Sequence, residues 1–140
     1  MKYVLDTNAV SALIKGDRSV LERLRRLDRE EVAVPQPVIA ELAYGLERLP
    51  TSARKNRLRR RIAMVRDEMA RCPWTGTVSE SFGHIKADLE RRGVRIEDFD
   101  VAIAAHALAH GAVLVTANVA HMSRVAGLDV QDWGEEGGEA

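Results

Sequence analysis

The chain has 140 residues, 46% of them apolar, which suits one compact domain with its own core. Its 21 basic and 21 acidic residues cancel, so net charge alone points to no polyanion. The single cysteine, Cys72, excludes an intrachain disulfide and fits a reducing compartment, and no apolar run approaches the ~20 residues of a membrane span.

Tyr3-Val4-Leu5 is a short apolar run without polar alternation, as expected of a strand covered on both faces. It is too short for the apolar region of a secretory leader, so a cytoplasmic chain is expected. Ala9 to Lys15 reads as a short helix stopped by Gly16. Asp17 can cap a second helix that aligns Val20, Leu21, Leu24 and Leu27. Val32-Ala33-Val34 is a second buried strand closed by Pro35. Pro37 suits the first turn of a helix running to about Leu49, where Pro50 forbids continuation.

A long helix is expected from Ser52 to Cys72, ended by Pro73. Between Arg48 and Arg71 the chain carries nine bases against two acids, so a basic patch exists on a neutral protein. Trp74-Thr75-Gly76 reads weakly as a strand. Thr77-Val78-Ser79-Glu80 matches a capping box, opening a helix with Phe82, Ile85 and Leu89 that stops at Gly93. Asp98 can cap a helix from Phe99 to His110. Ala112 to Val115 is a third buried strand, and a short helix and a last strand near Leu128-Asp129-Val130 follow. The stretch 134–140 is Gly- and Glu-rich and reads as a disordered acidic tail. Alternating strands and helices imply a single α/β domain over residues 1–133 with a mostly parallel sheet, and active sites in such sheets lie beyond the carboxyl ends of the strands.

Four oxygen-bearing side chains fall where such a sheet would gather them: Asp6, Glu41, Asp100 and Asn118. Each has a structural alternative. Asp6 could cap the helix after it, Asp100 could complement a helix dipole, Glu41 could be an exposed helix former, and Asn118 could be a cap. Asp100 is expected on the packed side of its helix with Ile103, Ala104 and Ala107. Glu41 borders the stripe of Val38, Ile39, Leu42 and Leu46, with room beside it at Gly45. Carboxylates gathered among apolar neighbours repel, and a hard divalent cation such as Mg²⁺ or Mn²⁺ relieves that cost.

The segments around these residues carry a resemblance. Tyr3-Val4-Leu5-Asp6-Thr7-Asn8, Val38 to Gly45, Ile96 to Ala107, Leu114 to Asn118 and Val125 to Trp133, in this order and spacing, make the chain similar to the PIN-domain ribonucleases, and more narrowly to the VapC toxins of bacterial type II toxin–antitoxin pairs. The resemblance implies a three-layer α/β/α sandwich on a four- or five-stranded sheet, and Mg²⁺- or Mn²⁺-dependent endonuclease activity on RNA. It places the family's catalytic, metal-holding acids on Asp6, Glu41 and Asp100, and its orienting groups on Thr7, Asn8 and Thr116. Members often carry a fourth acid where this chain has Asn118, which can still offer a metal its carbonyl oxygen but brings no charge; that implies one firmly held ion, with a second arriving with substrate. Met122 stands where the family usually has Phe. The resemblance also implies a transfer or ribosomal RNA substrate, a VapB-like antitoxin partner and a homodimer.

Other signals are weaker. His106 and His110, four apart, lack the third ligand zinc would need and read as surface histidines. His84 and His121 have no evident partner. Cys72 reads as packing and Trp133 as a cover for the last strand. The arginine run from Arg54 to Arg66 reads as a solvated helix face with RNA binding as the alternative. Asn8 stands where a haloacid-dehalogenase phosphatase would have an acid, and no Gly-rich phosphate loop is present. The reading from another class is a non-catalytic RNA- or partner-binding module of the same fold.

Overall fold

The computed structural model describes residues 1–134, so the expected tail lies outside the described residues except for Gly134. Five strands form one all-parallel sheet in the order β3-β2-β1-β4-β5: β1 Tyr3–Leu5, β2 Val32–Pro35, β3 Ala70–Cys72, β4 Val113–Val115 and β5 Val130–Gln131. The helices are α1 Thr7–Ile14, α2 Arg18–Arg25, α3 Gln36–Glu47, α4 Ala53–Glu68, α5 Gly76–Arg91, α6 Asp98–Ala109 and α7 Val119–Met122. Right-handed crossovers put α1 to α4 on one face of the sheet and α5 to α7 on the other. The packing agrees: α1 meets α2, α3 and α4, while α5 lies along α6. This is the α/β sandwich expected, with five strands.

The central strands are apolar along their length because each is buried on both faces. Val4, Leu5 and Leu114 are fully buried, and Val34 and Val115 nearly so. Trp133 is the largest fully buried side chain. Its ring meets Tyr3 edge-on at 5.1 Å, and its Nε1 donates to Gln131 Oε1 of β5 at 3.1 Å. It therefore ties the last strand to the first.

Three expectations change around Pro73. The helix expected to reach Cys72 ends at Glu68. Met69 is already extended, and Ala70, Arg71 and Cys72 pair in parallel with Ala33, Val34 and Pro35. A residue before proline is pushed out of the helical region, and the open edge of β2 offers backbone partners. Consequently the strand is not Trp74-Thr75-Gly76. Thr75 instead caps α5, its Oγ1 accepting from Val78 N at 3.3 Å, two residues ahead of the expected capping box. Burying Val78 in register with Ile85 and Leu89 sets that helix phase. At the next helix the cap position falls on Glu97 rather than Asp98.

His106 is a further correction. It is fully buried, because residues 101–107 of α6 are covered on every side and the face opposite the sheet is not solvent. Its Nδ1 donates to Ala102 O at 2.7 Å, its Nε2 has no hydrogen-bond partner among the described residues, and burial lowers its pKa. His110, four residues on, is exposed, with its Nδ1 3.5 Å from the buried Cys72 sulfur. Burial raises the Cys72 thiol to about 11, which fits packing rather than reactivity.

Candidate active site

The chain leaves β1 toward one edge of the sheet and β4 toward the other. The crevice beyond their carboxyl ends is thus the topological switch point. Asp6 follows β1 directly and Thr116 follows β4 directly, so both open onto it. Asp6 N donates to Val115 O at 3.0 Å and Thr116 N to Gln131 O at 2.9 Å, extending the ladder into the site.

Asp6 does cap α1: its Oδ1 accepts from Ala9 N at 3.1 Å, and its Oδ2 accepts from Asn8 Nδ2 at 3.3 Å. The cap is only part of its setting, because the residue is 6% exposed. The buried Thr116 hydroxyl accepts from Asn118 N at 3.0 Å and Asn8 Nδ2 at 3.4 Å, and spends its own proton on the Asp6 carboxylate. Asn8 is oriented in turn by Ala117 N, which donates to its Oδ1 at 2.8 Å. Burial nevertheless pushes Asp6 up to about 6. The Asp100 carboxylate adds to the rise, and the Thr116, Ala9 and Asn8 hydrogen bonds oppose it.

Asp100 occupies the first turn of α6, partly exposed at the mouth of the crevice rather than packed with Ile103, Ala104 and Ala107, which are buried. Its Oδ2 lies 3.2 Å from His121 Nε2. His121 therefore has a partner, contrary to expectation. Behind it, Arg124 contacts His121 Nδ1 and donates from Nε to His121 O at 3.0 Å, while Arg92 Nη2 donates to Arg124 O at 2.8 Å. The sequence signal was available: His121 lies three residues past Asn118 on the helix that follows β4, at the same sheet edge. Glu41 is half-buried on α3 and accepts a hydrogen bond from the Thr7 hydroxyl next to Asp6. Asn118 is exposed at the N-cap position of α7, and its side chain makes no cap hydrogen bond.

The acids thus form a pair and an outlier. Asp6 and Asp100 are close enough to repel, and Glu41 joins them through Thr7. Among the described residues, no three Asp, Glu, His or Cys side chains converge as a ligand cage, and no lysine or arginine forms an ion pair with any of the three acids. That donor set fits Mg²⁺ better than a metal that demands a full protein cage, because Mg²⁺ is held by one or two carboxylates and keeps its other positions for water and phosphate. A buried, repelled carboxylate with no lysine or arginine paired to it among the described residues fits such an ion.

The sequence as a whole points the same way. The PIN domain family model matches residues 3–128. The chain belongs to the PIN-domain family. Within that family it is 35% identical over 138 residues to Ribonuclease VapC2 of Haemophilus influenzae, covering 95% of this chain and 98% of the relative. It is 28% identical over 136 residues to the tRNA(fMet)-specific endonuclease VapC of Shigella flexneri, with the same coverage. Among solved structures, the fold matches VapBC2 of Rickettsia felis bound to a promoter DNA fragment, with a TM-score of 0.84, 28% identity, and coverage of 95% of this chain and 99% of that one. VapBC of Salmonella typhimurium bound to DNA matches with a TM-score of 0.85, 28% identity, and coverage of 95% and 98%. The chain is thus a VapC-type PIN domain, and its α/β sandwich is that of the VapC structures.

Proposed function

We propose that this PIN domain is a Mg²⁺- or Mn²⁺-dependent endoribonuclease and the toxin of a toxin–antitoxin pair. It cuts RNA phosphodiesters to leave 5′-phosphate and 3′-hydroxyl ends. The observation that carries the reading is the Asp6 carboxylate, buried at the switch point beside Asp100 with no lysine or arginine paired to it among the described residues. Asp6 and Asp100 would hold the ion directly, the Asn118 carbonyl could add a neutral ligand, and Glu41 would reach it through water. When bound, the ion withdraws charge from a phosphate oxygen and makes a water more acidic.

The chain's own residues do the rest. Thr116 and Asn8 fix the Asp6 carboxylate in one orientation, and His121 fixes Asp100, so neither acid must reorganise as the phosphate arrives. Glu41, held by Thr7 at the rim, takes a proton from the attacking water. The water oxygen bonds to phosphorus in line with the departing 3′ oxygen, which leaves with a proton from solvent. The ribose 2′-hydroxyl is a bystander.

Names among the relatives support tRNA as the substrate class, with ribosomal RNA as the alternative. The VapBC structures support a small VapB-like antitoxin as partner. A homodimer and a cytoplasmic location complete the proposal. No helix among the described residues is long and apolar enough to cross a membrane. Incubating the purified chain with unfractionated tRNA tests the activity. Mg²⁺-dependent fragments carrying 5′-phosphates, and none with a chelator, are expected. Fragments with 2′,3′-cyclic phosphates, or cutting that resists the chelator, would contradict the mechanism. RNA bound but never cut would favour the non-catalytic module.

A further inference from the structure

A groove of about 610 Å³ runs between α1, α3 and α4 and ends at Thr7 and Glu41, so it opens onto the crevice that holds Asp6. Its rim is one-sided in charge. Lys15 comes from the end of α1, Arg48 from the end of α3, and Arg54, Arg57 and Arg61 from α4, whereas Glu41 is the only acid lining it among the described residues. The three α4 arginines sit at i, i+3 and i+7 and so form a stripe on one helix face, about 4.5 and 6 Å apart along the axis.

Like charges at these spacings weaken a helix by mutual repulsion. The structure offers little to offset that. Among the described residues, the side chains of Lys15, Arg54 and Arg57 make no hydrogen bond or ion pair, that of Arg61 donates only to Ile14 O at 2.9 Å, and Arg48 lies over the Tyr44 ring at 5.8 Å. By contrast Arg59, outside the groove, is engaged by Asn56 Oδ1 at 2.8 Å. The floor between the bases is apolar, with Leu46 and Leu58 among its residues. Bases above and an apolar floor below suit a strand that carries one negative charge per residue and flat faces between the charges.

We propose that this groove carries the single-stranded RNA that flanks the scissile phosphate, with Lys15, Arg54 and Arg57 on successive phosphates and the apolar floor under a ribose or base. The proposal rests on the nuclease reading and gives it a substrate path. A phosphate at Asp6 and Asp100 continues past Glu41 into the groove, and the backbone meets positive charge there rather than solvent.

The test uses full-length protein in an Asp6→Asn background, so that RNA is bound but not cut. Arg54→Gln plus Arg57→Gln is compared with Arg59→Gln plus Arg60→Gln, a pair on the same helix outside the groove that removes the same charge. Binding of labelled tRNA and of a 12-nucleotide single strand is followed by anisotropy across a salt series, and melting curves check folding. For the groove pair we expect roughly tenfold or greater weakening and a fall of about 1.4 in the salt slope for the single strand. For the control pair we expect less than about a twofold change. In the cutting-competent chain the groove pair should raise KM and leave kcat nearly unchanged. Equal loss from both pairs, no loss from either, or displacement of RNA only by variants outside the groove would overturn the proposal. So would an acidic peptide that binds this groove while RNA does not. A wild-type chain that never cuts RNA refutes the nuclease reading instead, whereas cutting with unaffected groove variants refutes the groove alone.

Discussion

Asp6→Asn should abolish RNA cleavage and, with divalent cations chelated, make the protein more stable at pH 7. Both effects have one cause. Burial raises the Asp6 pKa from an unfolded value of 3.8 to about 6. Below pH 3.8 both states hold the proton and the fold bears no charge penalty. Between 3.8 and 6 the unfolded chain ionises first, so the stability associated with the protonated acid is lost as pH rises, and above 6 the whole penalty is present. A shift of this size corresponds to about 3 kcal/mol at neutral pH. Asparagine carries no charge and can still cap α1 from its carbonyl, but it cannot accept the Thr116 and Asn8 hydrogen bonds as a carboxylate does. The net gain expected is therefore roughly 1–3 kcal/mol. Urea unfolding in chelator from pH 4 to 7.5 should show the variant pulling ahead only as pH rises. His106, whose pKa is lowered by burial, also makes stability depend on pH, but both chains carry it and it drops out of the difference. Cleavage should fall by at least about 100-fold, since even residues that merely orient metal ligands are worth 10–100-fold. A variant less stable than the parent at pH 7, or one that still cuts, would contradict the role given to Asp6.

Trp133→Ala should cost about 3–5 kcal/mol, the range for removing a large buried aromatic, and lower the melting temperature by roughly 10 °C. The ring is 1% exposed, packs on Tyr3 of β1 and hydrogen-bonds Gln131 of the two-residue strand β5. Gln131 O in turn accepts from Thr116 N, so the same deletion loosens the residue that donates to Asp6. Thermal and urea unfolding measure the loss directly. A cost under about 1 kcal/mol would mean that β5 holds its place without the indole.

The sequence displayed most of what places the site and little of what links its parts. Val4-Leu5, Val32-Ala33-Val34 and Val113-Leu114-Val115 are apolar runs of a kind only buried strands need, so Asp6 and Thr116 could be assigned to the carboxyl edge before any coordinates. Ala70-Arg71-Cys72 carries no strand pattern of its own and becomes one by pairing with an open edge, which is a property of β2 as much as of itself. His106 looked exposed because a one-face reading of α6 assumes solvent on the other face, and α5 covers it. The contact of His121 with Asp100 spans 21 residues, and the hydrogen bond of Thr7 with Glu41 spans 34. Contacts of that span follow from the strand order, and no local pattern encodes strand order.

Mn²⁺ titration by calorimetry on the wild-type chain, Asp6→Asn and Asp100→Asn addresses the central claim, that two mutually repelling carboxylates at the switch point are held there for a divalent cation. One saturable site in the wild type, releasing protons near pH 6 as Asp6 gives up its own, and at least a tenfold weaker site in each variant are expected. Equal Mn²⁺ binding by all three chains, or none by the wild type, would contradict it.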